Sequence, residues 1–274
     1  MTFSKPVTGV NTADFKLMTT DVTSPTISGV SGAGTTYTVT VATGYGDGTL
    51  RLDVADDDSI RDASNHALGG AGAGNGNYAG GEFYTVLKPF VAFTSQDVND
   101  GWILETAEIS NKGGKLNSAA TMLRIGDDAA NRQYRSLLSF DTPVLPDGVT
   151  ITSVRLRLKY AGLAGTNPFA THGKLLADIC QGAYRNDPVL QPGDFNAICG
   201  KNKVLLFTKI KVDNWYWQAL NPLDFQFLNL GGITQFRLRF AKDDNNDFGA
   251  DFLKLWSGNA VPEDRPQLIV EYGF

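Results

Sequence analysis

Over long stretches the chain alternates apolar and polar residues one for one, the period of a strand with one face in a core and one in water. Residues 35–41, Thr-Thr-Tyr-Thr-Val-Thr-Val, read this way, and Leu50, Leu52 and Val54 alternate with Arg51 and Asp53. Between them Gly44-Tyr45-Gly46-Asp47-Gly48 is rich in residues that reach positive φ, which predicts a hairpin connection. Glu82 to Leu87 predicts a further strand, and Lys88-Pro89 a link onward. Later, Val154, Leu156, Leu158 and Tyr160 alternate with Arg155, Arg157 and Lys159, and Phe236, Leu238 and Phe240 with Arg237 and Arg239. Each predicts a strand with one core face and one basic, solvated face. Met122 to Ile125, Leu137 to Phe140, Leu175 to Ile179, Leu253 to Trp256 and Gln267 to Tyr272 add strands. Only Val212 to Leu220, with Trp215, Tyr216 and Trp217, reads as a short helix.

The 274 residues include 30 glycines, a composition that favours short strands and turns over helical layers. After residue 90 aromatics become more frequent and glycine thins out, which sets a domain boundary near Pro89. The expected fold class is all-β: a sandwich over residues 1–89, and over 90–274 roughly eight strands in a two-sheet, jelly-roll-type sandwich.

A net charge of -5 disfavours nucleic acid as a partner, since phosphate binding needs a basic surface. No stretch approaches the roughly 20 apolar residues that cross a bilayer, so membrane insertion is not expected. The first residues lack the charge pattern of a signal peptide and run directly into strand-like sequence, which reads as a processed or excised piece of a longer protein. Cys180 and Cys199 flank a loop-rich stretch with Pro188, Pro192 and Gly193. They are read as a disulfide, against the alternative of two free thiols, and a disulfide suits an extracellular setting.

Two resemblances bear on this division. The segments Phe3-Ser4-Lys5-Pro6-Val7-Thr8-Gly9-Val10, Gly48-Thr49-Leu50-Arg51-Leu52-Asp53-Val54 and Asp57-Asp58-Ser59-Ile60, followed by Leu68-Gly69-Gly70, resemble bacterial Ig-like repeats of secreted and surface proteins. In such repeats another strand usually precedes the first of these segments, so the resemblance implies an Ig-like sandwich with an exposed edge. Residues 90–274 resemble the DNRLRE family, which is related to carbohydrate-binding modules. The resemblance lies in Leu123-Arg124-Ile125-Gly126, Arg135-Ser136-Leu137-Leu138-Ser139-Phe140-Asp141, Val154-Arg155-Leu156-Arg157-Leu158 and Arg265-Pro266-Gln267-Leu268-Ile269-Val270-Glu271-Tyr272. It implies a stalk or binding module, with polysaccharide as the ligand class.

Three sets of residues could carry chemistry. Asp243-Asp244-Asn245-Asn246-Asp247 and Asp251 gather oxygen ligands of the kind calcium takes. Asp243, Asn245, Asp247 and Asp251 are the candidate ligands; Phe248 in place of glycine and Lys254 in place of the closing glutamate exclude an EF-hand. Asp56, Asp57, Asp58 and Asp62 form a second such cluster. For both the alternative is a turn whose carboxylates cap their own backbone. Arg155, Arg157, Lys159, Arg237 and Arg239 would face an acidic polysaccharide if their strands share a sheet, with Trp215, Trp217, Tyr216 or Trp256 offering flat faces to sugar rings; the alternative is a solvated sheet and buried aromatics. The two histidines, His66 and His172, accompany no nucleophile or metal-ligand spacing, so no enzymatic activity is expected. Two functions follow: a structural or adhesive segment of a surface assembly that joins other copies by strand addition, or a calcium-dependent carbohydrate-binding module.

Overall fold

A computed structural model describes residues 1–142 and 145–273; Pro143, Val144 and Phe274 lie outside it. The chain is all-β and divides into two compact units, Met1–Pro89 and Phe90–Tyr272.

The smaller unit contains β1 (Thr2–Thr8), β2 (Phe15–Thr23), β3 (Thr26–Ala42), β4 (Tyr45–Val54), β5 (Arg61–Asp62) and β6 (Phe83–Val86). They form two three-stranded sheets, ordered β3-β1-β5 and β2-β4-β6. Gly44 and Gly46 do take positive φ, but β3 and β4 belong to different sheets, so the glycine-rich connection is a crossover and not the hairpin expected from its composition. The long β3 folds back at Gly32 and Gly34, both at positive φ, and Ser28 Oγ donates to the Thr40 carbonyl. Val7, Tyr37 and Ile60 form a small core, with the Tyr37 hydroxyl donating to the Val7 carbonyl at 2.8 Å. On the other sheet the buried apolar residues are Phe15, Leu50, Val54 and Val86.

The larger unit contains β7 (Phe90–Thr94), β8 (Gly101–Glu105), β9 (Gly113–Asn117), β10 (Met122–Asp127), β11 (Gln133–Asp141), β12 (Thr150–Ala164), α1 (Pro168–Thr171), β13 (Leu175–Gln181), β14 (Lys201–Phe207), β15 (Trp215–Ala219), β16 (Ile233–Phe240), β17 (Phe252–Trp256) and β18 (Gln267–Gly273). The main path of pairing runs β14-β13-β16-β11-β10-β17-β12-β18-β7, with β15 on β12 and β8 on β11. The strand β12 makes this sheet curl. Its first half, Arg155–Lys159, pairs with β15, and its second half, Tyr160–Ala164, pairs with β17. The register shifts between Tyr160 and Gly162, where Gly162 takes φ 141°. The two halves of the sheet then face one core, in which Leu123, Leu138, Phe140, Leu156, Phe236, Leu253 and Val270 are all completely buried. A second cluster, Ile103, Leu137, Cys180, Tyr184, Leu190 and Phe195, packs separately from this core.

The segment Trp215–Ala219 is a strand, not the expected helix. Tyr216 enters the core while Trp217 points outward, and its ladder with β12 supplies the backbone hydrogen bonds that a helix would otherwise provide.

Asp100, just before β8, is fully buried and accepts from Ser95 Oγ at 2.6 Å and from the Ser139 and Gly258 amides at 2.9 Å each. Burial outweighs these bonds and pushes its carboxyl from 3.8 up to about 7. The folded state therefore keeps a proton that the unfolded chain has already released. The stabilisation is full below the unfolded value and is lost as pH rises through about 7. Between about pH 5 and about pH 8, urea midpoints of the wild type should fall more than those of Asp100→Asn, by the equivalent of about 3 kcal/mol.

Candidate functional site

A concave, chemically mixed surface lies on the outer side of the half-sheet formed by β7, β18, β12 and β15. Because Val154, Leu156 and Leu158 turn inward, Arg155, Arg157 and Lys159 project outward, and antiparallel pairing sets Arg157 opposite Trp217 and Lys159 opposite Trp215. Just before β15 the chain turns through Asp213 (φ 50°) and Asn214 (φ 66°), with Val212 and Trp215 exchanging backbone hydrogen bonds. Two successive positive φ values mark the tight hairpin turn that Asp and Asn tolerate. It brings Val212 and Asp213 beside the tryptophans. The result is a groove of about 330 Å³ lined by Arg155, Arg157, Val212, Asp213, Trp215, Trp217 and Ile269.

Charge pairing organises the groove. Arg155 pairs with Glu271, Lys159 with Asp264, and Arg157 Nη1 donates to Gln267 Oε1 at 3.1 Å. The Arg157 guanidinium lies 4.5 Å from the Trp215 ring centroid, a cation–π contact that fixes both side chains. Trp217 is 48 % exposed, which leaves much of its ring open to solvent. Arg155 Nε is shielded from solvent yet has no acceptor. Arg155 and Lys159 are each paired with a carboxylate, Glu271 and Asp264, and Asp213 also lines the groove beside Arg157, so most of the positive charge of this polar, aromatic surface is offset.

Arg237 and Arg239 do not join this face, and the expectation of a basic, solvated side on β16 is corrected. Asp178, with no exposed surface, receives Arg237 Nη2 at 3.0 Å, Arg239 Nε at 3.1 Å and the Lys203 amide at 2.9 Å. Burial alone would raise the Asp178 carboxyl, but that amide and the two guanidiniums hold it below the usual range. Arg237 also donates to the Asp194 and Ala197 carbonyls, and Arg135 to the Phe195 carbonyl. Those carbonyls belong to the loop after β13, which is tied at its base by the Cys180–Cys199 disulfide. The loop covers Arg237 to 4 % exposure. Arg135, shielded by the same loop and repelled by Arg237 and Arg239, is lowered to about 10, mainly by burial.

The acidic clusters are tied into their own turns. Asp56 accepts the Asp58 and Gly76 amides, Asp57 that of Ser59, Asp58 that of Gly72, and Asp62 those of Ser64 and His66. In the later loop Asp243, Asp244 and Asp247 accept the amides of Asp244, Asn246 and Gly249, and Asp251 that of Thr166. Among the described residues no three acidic, histidine or cysteine side chains stand together at metal-ligand spacing. Trp256 pairs with Met122 on β10, away from the groove. Gln267 and Ile269 belong to the candidate face but were not singled out in the sequence. Their alternation with buried Leu268 and Val270 is the signal that marks them.

The fold and the groove together define an all-β protein with a polar-aromatic surface site. No protein-family model matches the chain, and no curated protein matches it either.

Proposed function

We propose that this chain is a non-enzymatic extracellular module that binds polysaccharide through the groove beside β12 and β15. The observation that carries the reading is the meeting of Arg155, Arg157, Trp215 and Trp217, distant in sequence, on one concave face. Sugar rings present apolar faces edged by hydroxyls, so an open tryptophan beside forked donors and carboxylate acceptors suits them. The balance of charge in the groove favours an uncharged polysaccharide over an acidic one. The resemblance of residues 90–274 to relatives of carbohydrate-binding modules points the same way, and the disulfide agrees with an extracellular setting.

Calorimetric titration against neutral and acidic polysaccharides tests this. The expected result is affinity for a neutral chain that Trp217→Ala weakens roughly tenfold or more, about 1.4 kcal/mol, without lowering the melting temperature. Absence of binding to every polysaccharide would overturn the reading.

A second reading, a structural or adhesive segment, has its own observation. Tyr84 on β6 lies opposite Leu50 on the same face of its sheet, yet it is 58 % exposed while Leu50 is 4 % exposed. A strand supplied by another copy of the chain would cover such a face, and self-association without glycan affinity would favour this reading.

A further inference from the structure

A carboxylate withdrawn from water needs a cation or enough donors to replace its hydration. In the larger unit Asp178, Asp128, Glu271, Asp264 and Asp224 each meet an arginine or lysine. Asp127, at the end of β10, does not. It is completely buried, and its Oδ1 accepts only the Asp251 amide at 3.1 Å, with His172 Nε2 at 3.3 Å from the same oxygen. Its Oδ2 has no partner. Beside it Asn131, 1 % exposed, accepts the Phe248 amide on Oδ1 and leaves Nδ2 unpartnered.

The loop that Asp127 holds is the acidic one between β16 and β17. Its carboxylates Asp243, Asp244, Asp247 and Asp251 have no lysine or arginine within ion-pair distance among the described residues. Asn245 Nδ2 alone bridges two of them, at 2.8 Å from Asp247 Oδ2 and 3.2 Å from Asp251 Oδ2.

We propose that this loop and Asp127 together bind a hard divalent cation, calcium, through Asp127, Asn245, Asp247 and Asp251. Calcium takes six to eight oxygens at about 2.3–2.6 Å and tolerates irregular geometry, which suits one fixed buried carboxylate and several turn-forming ones. Binding draws the exposed Asp247 side chain toward Asp127 and Asp251. His172 remains a neighbour of Asp127 and not a ligand, since calcium prefers oxygen donors.

The test is calorimetric titration of calcium chloride into the full chain after chelation, alongside thermal melting. The expected result is one calcium per chain, a raised melting temperature, and at least tenfold weaker binding in Asp127→Asn and in Asp247→Asn. Asp57→Asn, in the other acidic cluster, should bind as the wild type does. Asp247 is exposed, so its variant decides the matter even where Asp127→Asn does not fold. No calcium binding by the wild type, or unchanged affinity in Asp247→Asn, overturns the proposal. Polysaccharide affinity is read separately and stands or falls with Trp217.

Discussion

Replacing Asp178 by alanine should destabilise the larger unit by about 3–5 kcal/mol, the range for breaking a buried ion pair by removing one partner. The side chain is inaccessible to water and joins two guanidiniums and one amide. Without it Arg237, 4 % exposed, keeps its donors to two loop carbonyls but loses its counter-charge, and Arg135 and Arg239 remain beside it as like charges. Among the described residues it is thus the one negative group directly bonded to Arg237 and Arg239. Chemical denaturation of Asp178→Ala should give a midpoint shifted far more than that of Asp128→Ala, whose Arg132 partner is 36 % exposed at the side chain. Equal shifts in the two variants would refute the buried-cluster argument.

Removal of the Cys180–Cys199 bridge by a double serine substitution is expected to cost about 3 kcal/mol, the loop-closure entropy for a loop of this length. The bridge spans 19 positions with the two Cα atoms 5.1 Å apart. What it encloses makes the effect more than entropic. The loop supplies Tyr184, Leu190 and Phe195 to the second hydrophobic cluster and carbonyl acceptors to Arg135 and Arg237. Reduction should therefore open the loop to proteolysis before the rest of the unit melts. Limited digestion with and without reductant reads this directly, and identical cleavage in both states would count against it.

Comparing β12 with β16 makes clear what alternation encodes. Both strands carry arginines between large apolar residues, and in both the apolar residues enter the core. Period 2 reveals on which side of a sheet a residue lies, but what covers that side is decided by distant chain. On β12 the arginines stay near solvent; on β16 a loop strapped by a disulfide closes over Arg237, and Asp178 neutralises it together with Arg239. Helix at Val212–Leu220 was a natural error, because aromatic residues on both sides of a strand hide its alternation. The groove was legible as a set of residue types, Arg155, Arg157, Trp215 and Trp217. Its assembly was not, because the register of Arg157 against Trp217 is a tertiary fact. Asp127 was invisible for a related reason: nothing near it in sequence betrays that its carboxylate is buried without a full set of partners.

The closure of β7 on β18 carries a consequence for how the larger unit comes into being. Phe90 is paired with Glu271, so the first strand of the unit finds its neighbour only when nearly all of it has been synthesised. Contacts of such sequence separation form slowly and late. The groove inherits this order, because Ile269 and the Glu271 partner of Arg155 arrive on that same closing strand. A chain still being synthesised would thus lack one wall of the groove until the final strand docks, and truncation within β18 would remove the site along with the sheet that frames it.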